Sequence, residues 1–234
     1  MLHDSSSPRL LQQDAKLIQI VNAALADATL RAGEHLACRP GCTQCCHGAF
    51  AINPLDALRL RTAMAAMAES QPTQAVAIAA RAHQFLAEFG PDFPGNPDTG
   101  ILGTSPEEEA AFEEFANEAP CPALNPETGL CDLYEARPMT CRVFGPPVRM
   151  RPSTIGDQQE DSDATEDARE DDGFAVCELC FTTATPEETT AAEMTVPHAE
   201  EQAILDQMDP AAGDTIVAYC LTLPPNSQPA PTAA

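Results

Sequence analysis

Four of the ten cysteines lie close together in one short loop, Cys38-Arg-Pro-Gly-Cys42-Thr-Gln-Cys45-Cys46. A Cys-x-x-Cys loop can bring two sulfurs to one metal ion, and Gly41 eases the tight turn that this requires. Cysteines spaced as Cys38, Cys42 and Cys45 can also hold one face of an iron–sulfur cluster. A single cysteine is often simply a small buried apolar side chain, but this explanation does not account for four cysteines on one loop. The spacing therefore predicts a metal site.

Six further cysteines follow along the chain. Cys121, Cys131 and Cys141 are each separated by nine residues in a segment broken by prolines, so they are candidates to complete the site. Cys177 and Cys180 form a separate Cys-x-x-Cys pair, which suits either a redox pair or half of a metal site. Cys220 lies among apolar residues and is predicted to belong to the core.

Arginines are concentrated around Cys141. Four of the eleven, Arg137, Arg142, Arg149 and Arg151, lie within fifteen residues of one another. Such a patch can lower the pKa of thiols, offset the charge of a thiolate-bound centre or hold a carboxylate or phosphate. Pairing with acidic residues at the surface is the alternative. We take Arg137 and Arg142 as candidate cofactor-binding residues.

Charge, hydropathy and the first residues of the chain restrict the classes of partner and the cellular location that are expected. The formal charge of −24 argues against a nucleic-acid partner, because phosphates would be repelled over most of the surface. No apolar stretch approaches the roughly 20 residues that span a bilayer, so no membrane association is expected. The first nine residues lack the order of a secretory signal, which predicts a cytoplasmic location. In such a reducing compartment, clustered cysteines bind metals more often than they form disulfides.

The elements that must position these cysteines are predicted to be α-helices. Alanine is abundant and aromatics amount to only 5%, so we predict a mainly α fold, with a few helices packed around an irregular cysteine-rich metal centre. The predicted helices cover residues 10–36, 54–70, 73–89, 105–117 and 186–208, the last of them broken near Pro197.

The faces of two helices are predicted from their periodicity. In the first helix, apolar residues at helical spacing form the predicted buried face: Leu11, Ile18, Val21, Leu25 and Ala28. In the second helix, the predicted inward residues are Leu55, Leu58 and Met67. The charged residues of this second helix, Asp56, Arg59 and Arg61, are predicted to stay largely solvated.

The domain prediction is a single metal-binding domain over residues 10–222. Residues 157–172 contain nine acids and one arginine, and the surrounding segment 152–173 is predicted to be a disordered acidic insertion. Residues 1–9 and 224–234 are predicted to be flexible tails.

The cysteine pattern resembles a known bacterial family. Cys42-x-x-Cys45-Cys46, a helix with Asp56, Cys121-Pro-Ala-Leu and Cys131-x-Leu-Tyr-Glu-Ala-Arg137-Pro-x-x-Cys141-Arg-Val-Phe are similar to the YkgJ-type cysteine-cluster proteins. That family is a zinc- or iron-chelating domain related to flagellin lysine N-methylase. The resemblance covers about residues 35–182.

The resemblance implies a set of metal ligands. It implies Cys42, Cys45, Cys46, Cys121, Cys131 and Cys141, and Cys38 fills the position of a further cysteine before the loop. Either Cys177 or Cys180 fills the position of a further cysteine after the Cys-Arg-x-Phe element. The acidic insertion separates this last pair from the rest of the pattern.

Three functions are compatible with these residues. The first is a metal-binding protein that holds an iron–sulfur cluster, zinc or iron for metal handling or electron transfer. The second is a protein-modifying enzyme of the lysine N-methylase type. The third is a structural zinc module that binds a protein partner through the acidic segment. Iron–sulfur is favoured slightly over zinc, because seven to nine thiolates exceed the four that one zinc ion takes.

Overall fold

The computed structural model describes residues 7–149 and 174–222 and is mainly α-helical, as predicted. The helices are α1 (Ser7–Ala32), α2 (Pro54–Ser70), α3 (Pro72–Phe89), α4 (Pro106–Glu113), α5 (Met139–Val143), α6 (Pro186–Ala191), α7 (His198–Leu205) and α8 (Val217–Cys220). Six two-residue strands form three antiparallel pairs: β1 (Ala51–Ile52) with β6 (Thr215–Ile216), β2 (Gly95–Asn96) with β3 (Ile101–Leu102), and β4 (Val148–Arg149) with β5 (Phe174–Ala175).

The chain divides into two compact units. In the described residues, unit 1 comprises 7–19, 39–142 and 198–222, and unit 2 comprises 20–38, 143–149 and 174–197. Six predicted ligand cysteines belong to unit 1, and Cys38, Cys177 and Cys180 belong to unit 2. The single domain over residues 10–222 stays a prediction.

Local sequence signals explain where the helices of unit 1 begin. Asn53 caps α2, because its side-chain oxygen accepts the Asp56 N–H at 2.9 Å, and Pro54 occupies the first turn. Ser105 and Glu108 form a reciprocal capping box at α4. Helix α4 ends at Glu113 and not near Asn117 as predicted. The chain turns away soon afterwards, where Ala116 adopts a left-handed φ of 52°.

The core of unit 1 lies mainly between α2, α3 and α8. Small buried alanines in α2 and α3 leave room for larger apolar side chains: Leu60, Met64, Ile78, Val217 and Leu221. The second cluster is aromatic, with Phe115 in ring contact with four other phenylalanines: Phe85, Phe89, Phe93 and Phe112. Cys121 and Cys131 are half-buried against the first cluster, so the predicted ligands lie at the edge of an ordinary apolar core.

Two predictions about helix faces are partly wrong, although Val21, Ala28 and Leu55 are buried as predicted. Asp56 and Arg59 of α2 are not solvated but only 2% and 7% exposed, whereas Arg61 is exposed as predicted. In α1 the buried face contains Leu10, Leu17 and Val21, while the predicted Leu11 and Ile18 are only half-buried. The reason is ionic: Asp14 lies on the buried face of α1 and pairs with Arg59. A prediction from the spacing of apolar residues alone does not detect a charged residue, such as Asp14, on the buried face of the helix.

Two arginines make polar contacts within unit 2. Arg31 of α1 donates to the carbonyls of Ala191 and, at 2.9 Å, Glu193. Arg149 pairs with the Glu193 carboxylate at 2.9 Å, and its guanidinium lies 4.7 Å from the centre of the Phe174 ring. Arg149 of the predicted basic patch therefore pairs with a nearby acidic residue.

Several predicted segments lie outside the described residues: the acidic insertion 152–173, Arg151 of the basic patch, the C-terminal tail 224–234 and residues 1–6 of the N-terminal tail. Residues 7–9 begin α1. Within the ranges that are described, no helix combines the length and the apolar character needed to cross a membrane.

Candidate metal centre

The first cysteine loop of unit 1 consists of two tight turns. The Cys42 N–H donates to the Arg39 carbonyl at 2.9 Å, and Gly41 supplies the left-handed φ of 88° that this turn needs. The Cys46 N–H then donates to the Thr43 carbonyl at 2.8 Å, which closes a short 3₁₀ turn over Gln44–Cys46. These two turns carry the three loop cysteines that belong to unit 1, Cys42, Cys45 and Cys46, on a short stretch of backbone.

A backbone bridge joins this loop to the second cysteine segment. The Cys121 N–H donates to the Cys46 carbonyl at 2.7 Å, and the Gly48 N–H donates to the Ala119 carbonyl at 2.9 Å. His47 and Pro120 pair between them as an antiparallel bridge, and His47 itself is exposed. Cysteines that are 75 residues apart in the sequence are thereby directly connected through their main chains.

The segment from Cys121 to Asp132 folds back on itself. Leu124 and Cys131 form an antiparallel bridge, and the Asp132 N–H donates to the Ala123 carbonyl at 2.8 Å. Arg81 of α3 fixes this fold from outside, because it donates to the Pro122 carbonyl at 2.8 Å and to the Asp132 carboxylate at 2.6 Å. The fold returns Cys131 to the vicinity of Cys121.

Several backbone N–H groups point at the sulfurs. The N–H groups of Ala123 and Leu124 hydrogen-bond to Cys121, and the Leu133 N–H hydrogen-bonds to Cys131. Each of these bonds favours the thiolate and so lowers the pKa of the thiol that accepts it. Hydrogen bonds to sulfur are among the protein's means of tuning thiolate-bound metal centres.

The thiols of unit 1 also act on one another electrostatically. Burial is the main cause that raises the pKa of Cys121 to about 11 and raises that of Cys131. Burial likewise raises the pKa of Cys141 well above the usual range, with further contributions from the negative charges of Cys121, Cys45 and Cys131. A bound cation would reverse this balance, because a coordinating thiol is deprotonated by the metal.

Cys45 is the exception among these thiols. The neighbouring Cys46 thiol donates a hydrogen bond to it, and this lowers the pKa of Cys45 to about 6. The backbone N–H of Cys45 and the charge of Arg137 contribute further lowering. The same hydrogen bond raises the pKa of Cys46 far above its ordinary value. The adjacent pair therefore shares a single proton at neutral pH.

The two predicted cofactor-binding arginines are both buried, in different surroundings. The Arg137 guanidinium lies 3.9 Å from the centre of the Tyr134 ring, and its charge helps to lower the pKa of Cys45 and opposes the rise in the pKa of Cys131. Arg142 is 1% exposed and donates to the Glu135 carbonyl, and burial lowers its pKa to about 10. Cofactor binding by either arginine stays a prediction, and Arg137 is the one whose charge acts on the thiols.

Sequence reasoning missed the charged residues that hold the cysteine segments. Asp56 accepts the Met139 N–H at the start of α5, the helix that contains Cys141. Arg59 donates to the Arg137 carbonyl and pairs with Asp14 of α1. The available signals were the spacing of three residues between Asp56 and Arg59 and the position of Asp14 between the buried Leu10 and Leu17.

Unit 2 contains a second, smaller group of thiols. Cys177 and Cys180 are buried on one turn, in which the Cys180 N–H donates to the Cys177 carbonyl at 2.8 Å. The Ala37 N–H donates to the Cys180 sulfur at 3.3 Å, next to the exposed Cys38. The three predicted ligands of this unit are thus carried by two neighbouring backbone segments. Cys220, by contrast, is 1% exposed and packs in the core of unit 1, as predicted.

The donor set fits zinc or iron, although its geometry is not that of a completed site. Within residues 7–149 and 174–222, no three histidine, cysteine, aspartate or glutamate side chains are grouped closely enough to hold a metal ion as they stand. The grouped donors of unit 1 are all thiols, with N–H groups directed at their sulfurs. Soft sulfur ligands of this kind select zinc, copper(I) or iron–sulfur clusters over magnesium or calcium.

Comparison with known proteins agrees with this chemistry. No curated protein and no solved structure gives a match to the chain. A protein-family model, CxxCxxCC, matches residues 37–168, which is more than half of the chain and includes seven of the nine predicted ligand cysteines. The chain therefore belongs to the CxxCxxCC family, described as "Putative zinc- or iron-chelating domain".

Proposed function

We propose that this protein binds zinc or iron through six cysteine thiolates of unit 1: Cys42, Cys45, Cys46, Cys121, Cys131 and Cys141. The observation that carries the proposal is the convergence of three separate segments. Support comes from the Cys46–Cys121 main-chain hydrogen bond, from the Leu124–Cys131 bridge and from the electrostatic effects of Cys45, Cys121 and Cys131 on Cys141. Cys42 lies on the adjoining turn of the same loop. Half-buried thiols whose pKa values are raised become thiolates when a metal ion coordinates them, so this grouping is suited to binding a cation.

Of the two metals, we favour iron, held as an iron–sulfur cluster. Six thiols exceed the four that one zinc ion takes, whereas a cluster distributes its ligands over several iron atoms. When bound, such a cluster accepts and releases single electrons, so the proposed role is electron transfer or iron handling. The residues of the chain then contribute N–H donors to the sulfurs and the positive charge of Arg137. Two zinc ions on the same thiols are the competing outcome.

We further propose that Cys38, Cys177 and Cys180 bind metal as a second thiolate group in unit 2. Support comes from the Cys-x-x-Cys turn, from the burial of two of its thiols and from the Ala37 N–H that points at the Cys180 sulfur. This group has only three cysteines, and a mononuclear metal ion would need one more ligand from protein or solvent.

The test is to purify the protein without oxygen and to measure iron, zinc and acid-labile sulfide together with the visible spectrum. Iron with matching sulfide and broad visible absorption supports the cluster, and colourless protein with zinc supports the competing outcome. Cys131→Ser and Cys180→Ser separate the two thiol groups, because each is expected to lose only its own share of metal. Cys220→Ser is the matched control, since this cysteine packs in the core. Wild-type protein without either metal would refute the proposal.

A further inference from the structure

Three charged side chains are buried together in unit 1. Asp14 of α1 is 4% exposed, and Asp56 and Arg59 of α2 are 2% and 7% exposed. Arg59 donates two hydrogen bonds to the Asp14 carboxylate, at 2.8 and 2.5 Å, and one to the Asp56 carboxylate at 2.6 Å. Two carboxylates share one guanidinium, so this ionic triad has a net negative charge inside the unit.

A buried ionic group of this kind is poor evidence for stability by itself. The desolvation free energy of the charges is comparable to the free energy gained from their attraction. Well-packed apolar residues in their place often stabilise a protein to the same extent. Retained buried charges can instead fix a particular arrangement of the segments that they join. Besides α1 and α2, the triad also joins a third segment of unit 1.

The triad holds the segment that carries Cys141. Both oxygens of the Asp56 carboxylate accept the Met139 N–H, at 3.0 and 3.1 Å, and Arg59 donates to the Arg137 carbonyl at 3.3 Å. Between these two anchors lies Pro138, which has no N–H to donate. Met139 begins α5, so its N–H has no partner within the helix, and Asp56 supplies one. Cys141 follows two residues later.

We infer that Asp56, oriented by Arg59 and Asp14, is the positioning residue for Cys141. The inference rests on the proposed function, because it concerns the same thiolate site. Asp56 acts through the backbone, because its carboxylate accepts the Met139 N–H. It fixes the start of α5 before metal binds, and this presents the Cys141 thiol to the neighbourhood of Cys45, Cys121 and Cys131.

A positioning role and a general stabilising role make different predictions. If Asp56 acts through Cys141, its removal weakens metal binding only while Cys141 is present as a ligand. If Asp56 merely stabilises unit 1, its removal weakens metal binding to the same extent with or without Cys141. A double-mutant cycle between the two residues separates these cases.

The experiment measures the affinity of metal-free, reduced protein for Zn²⁺ by competition with a chromophoric chelator. Wild type, Asp56→Ala, Cys141→Ser and the double variant complete the cycle. We expect Asp56→Ala to weaken Zn²⁺ binding by about 10- to 100-fold, the range for partners that orient metal ligands. In the Cys141→Ser background the same substitution is expected to change the affinity by less than about threefold, within the additivity error of such cycles.

Two controls keep the inference falsifiable if Asp56→Ala lowers stability. Asp56→Asn keeps an oxygen that can accept the Met139 N–H, and it is expected to recover part of the affinity. Glu108→Ala removes another helix-capping carboxylate of unit 1, the one that accepts hydrogen bonds from Ser105, and it is expected to leave Zn²⁺ affinity unchanged. Hydrogen exchange in metal-free protein adds a readout without metal, because Asp56→Ala should expose the first amides of α5.

The outcomes distinguish the inference from the proposed function. Equal losses of affinity with and without Cys141, or unchanged exchange at the start of α5, overturn the positioning role while zinc binding by wild type stands. Absence of Zn²⁺ binding by wild type overturns the positioning role, and the proposed function falls with it only if anaerobically purified wild type contains neither zinc nor iron.

Discussion

The buried triad makes Arg59 the side chain of unit 1 whose loss should be most costly to stability. We consider Arg59→Met, which keeps the length and the apolar stem of the side chain and removes the charge. The substitution leaves the carboxylates of Asp14 and Asp56 buried without the cation that they share. It also removes the donor to the Arg137 carbonyl.

The magnitude follows from the burial of all three groups. Removing one partner of a buried ion pair costs about 3–5 kcal/mol, because the remaining charge is left uncompensated. Burial raises the pKa of Asp56 to about 6 even with Arg59 present, so protonation of this carboxyl on loss of Arg59 would limit the cost. At about 2–4 °C for each kcal/mol in a chain of this size, the melting temperature should fall by roughly 6–20 °C.

The assay is urea and thermal unfolding of metal-free, reduced protein at pH 7, followed by circular dichroism. Arg61→Met is the matched control, two residues along the same helix, and its exposed side chain predicts a change within about 0.5 kcal/mol. The penalty of Arg59→Met should shrink in acid, where the orphaned carboxylates take up protons and lose their charge. A loss below about 1 kcal/mol at pH 7, or no difference from Arg61→Met, would refute the reasoning.

Three further predictions concern the thiols and their supports. Arg81→Met removes the donors to the Pro122 carbonyl and the Asp132 carboxylate, and it should weaken Zn²⁺ binding about tenfold in the same chelator competition. In metal-free protein, alkylation of Cys45 by iodoacetamide should accelerate through pH about 6 and then level off, because its thiolate forms there. In Cys46→Ala this midpoint should move upward, since the donated S–H is gone. Cys220→Ala should cost about 1 kcal/mol of unfolding free energy in urea and leave metal content unchanged.

A different result would contradict each of these three predictions. Arg81→Met with wild-type affinity would mean that the fold of the 121–132 segment does not depend on α3. A Cys45 alkylation midpoint near the ordinary thiol value in both wild type and Cys46→Ala would contradict the shared proton. Loss of metal in Cys220→Ala would show that the core cysteine belongs to the site.

Helix positions were predictable because their signals are local. The cap at Asn53 and Pro54 and the predicted end at Ser70 agree with α2 in the structure. Ser105 at the cap and the glutamates after it likewise mark the start of α4. These signals depend on backbone groups within one turn, and a sequence displays them directly.

Contacts between distant segments were harder to predict. The cysteine types and spacing predict a thiolate site, but the Cys46–Cys121 main-chain hydrogen bond follows from strand pairing that no short pattern displays. Asp56 and Arg59 were predicted to be solvated, because charged residues are rarely buried unless they are paired, and the sequence did not show their pairing. Asp14, which pairs with Arg59, lies on another helix, and the sequence does not indicate which helices pack together.

The most direct test of the central claim is the metal content of anaerobically prepared wild type and Cys131→Ser, measured alongside their melting temperatures. A thiolate centre in unit 1 predicts bound iron or zinc in wild type, less metal in Cys131→Ser and a lower melting temperature in the same variant. Wild-type metal content and melting temperature in Cys131→Ser would contradict the claim that these cysteines form one shared site.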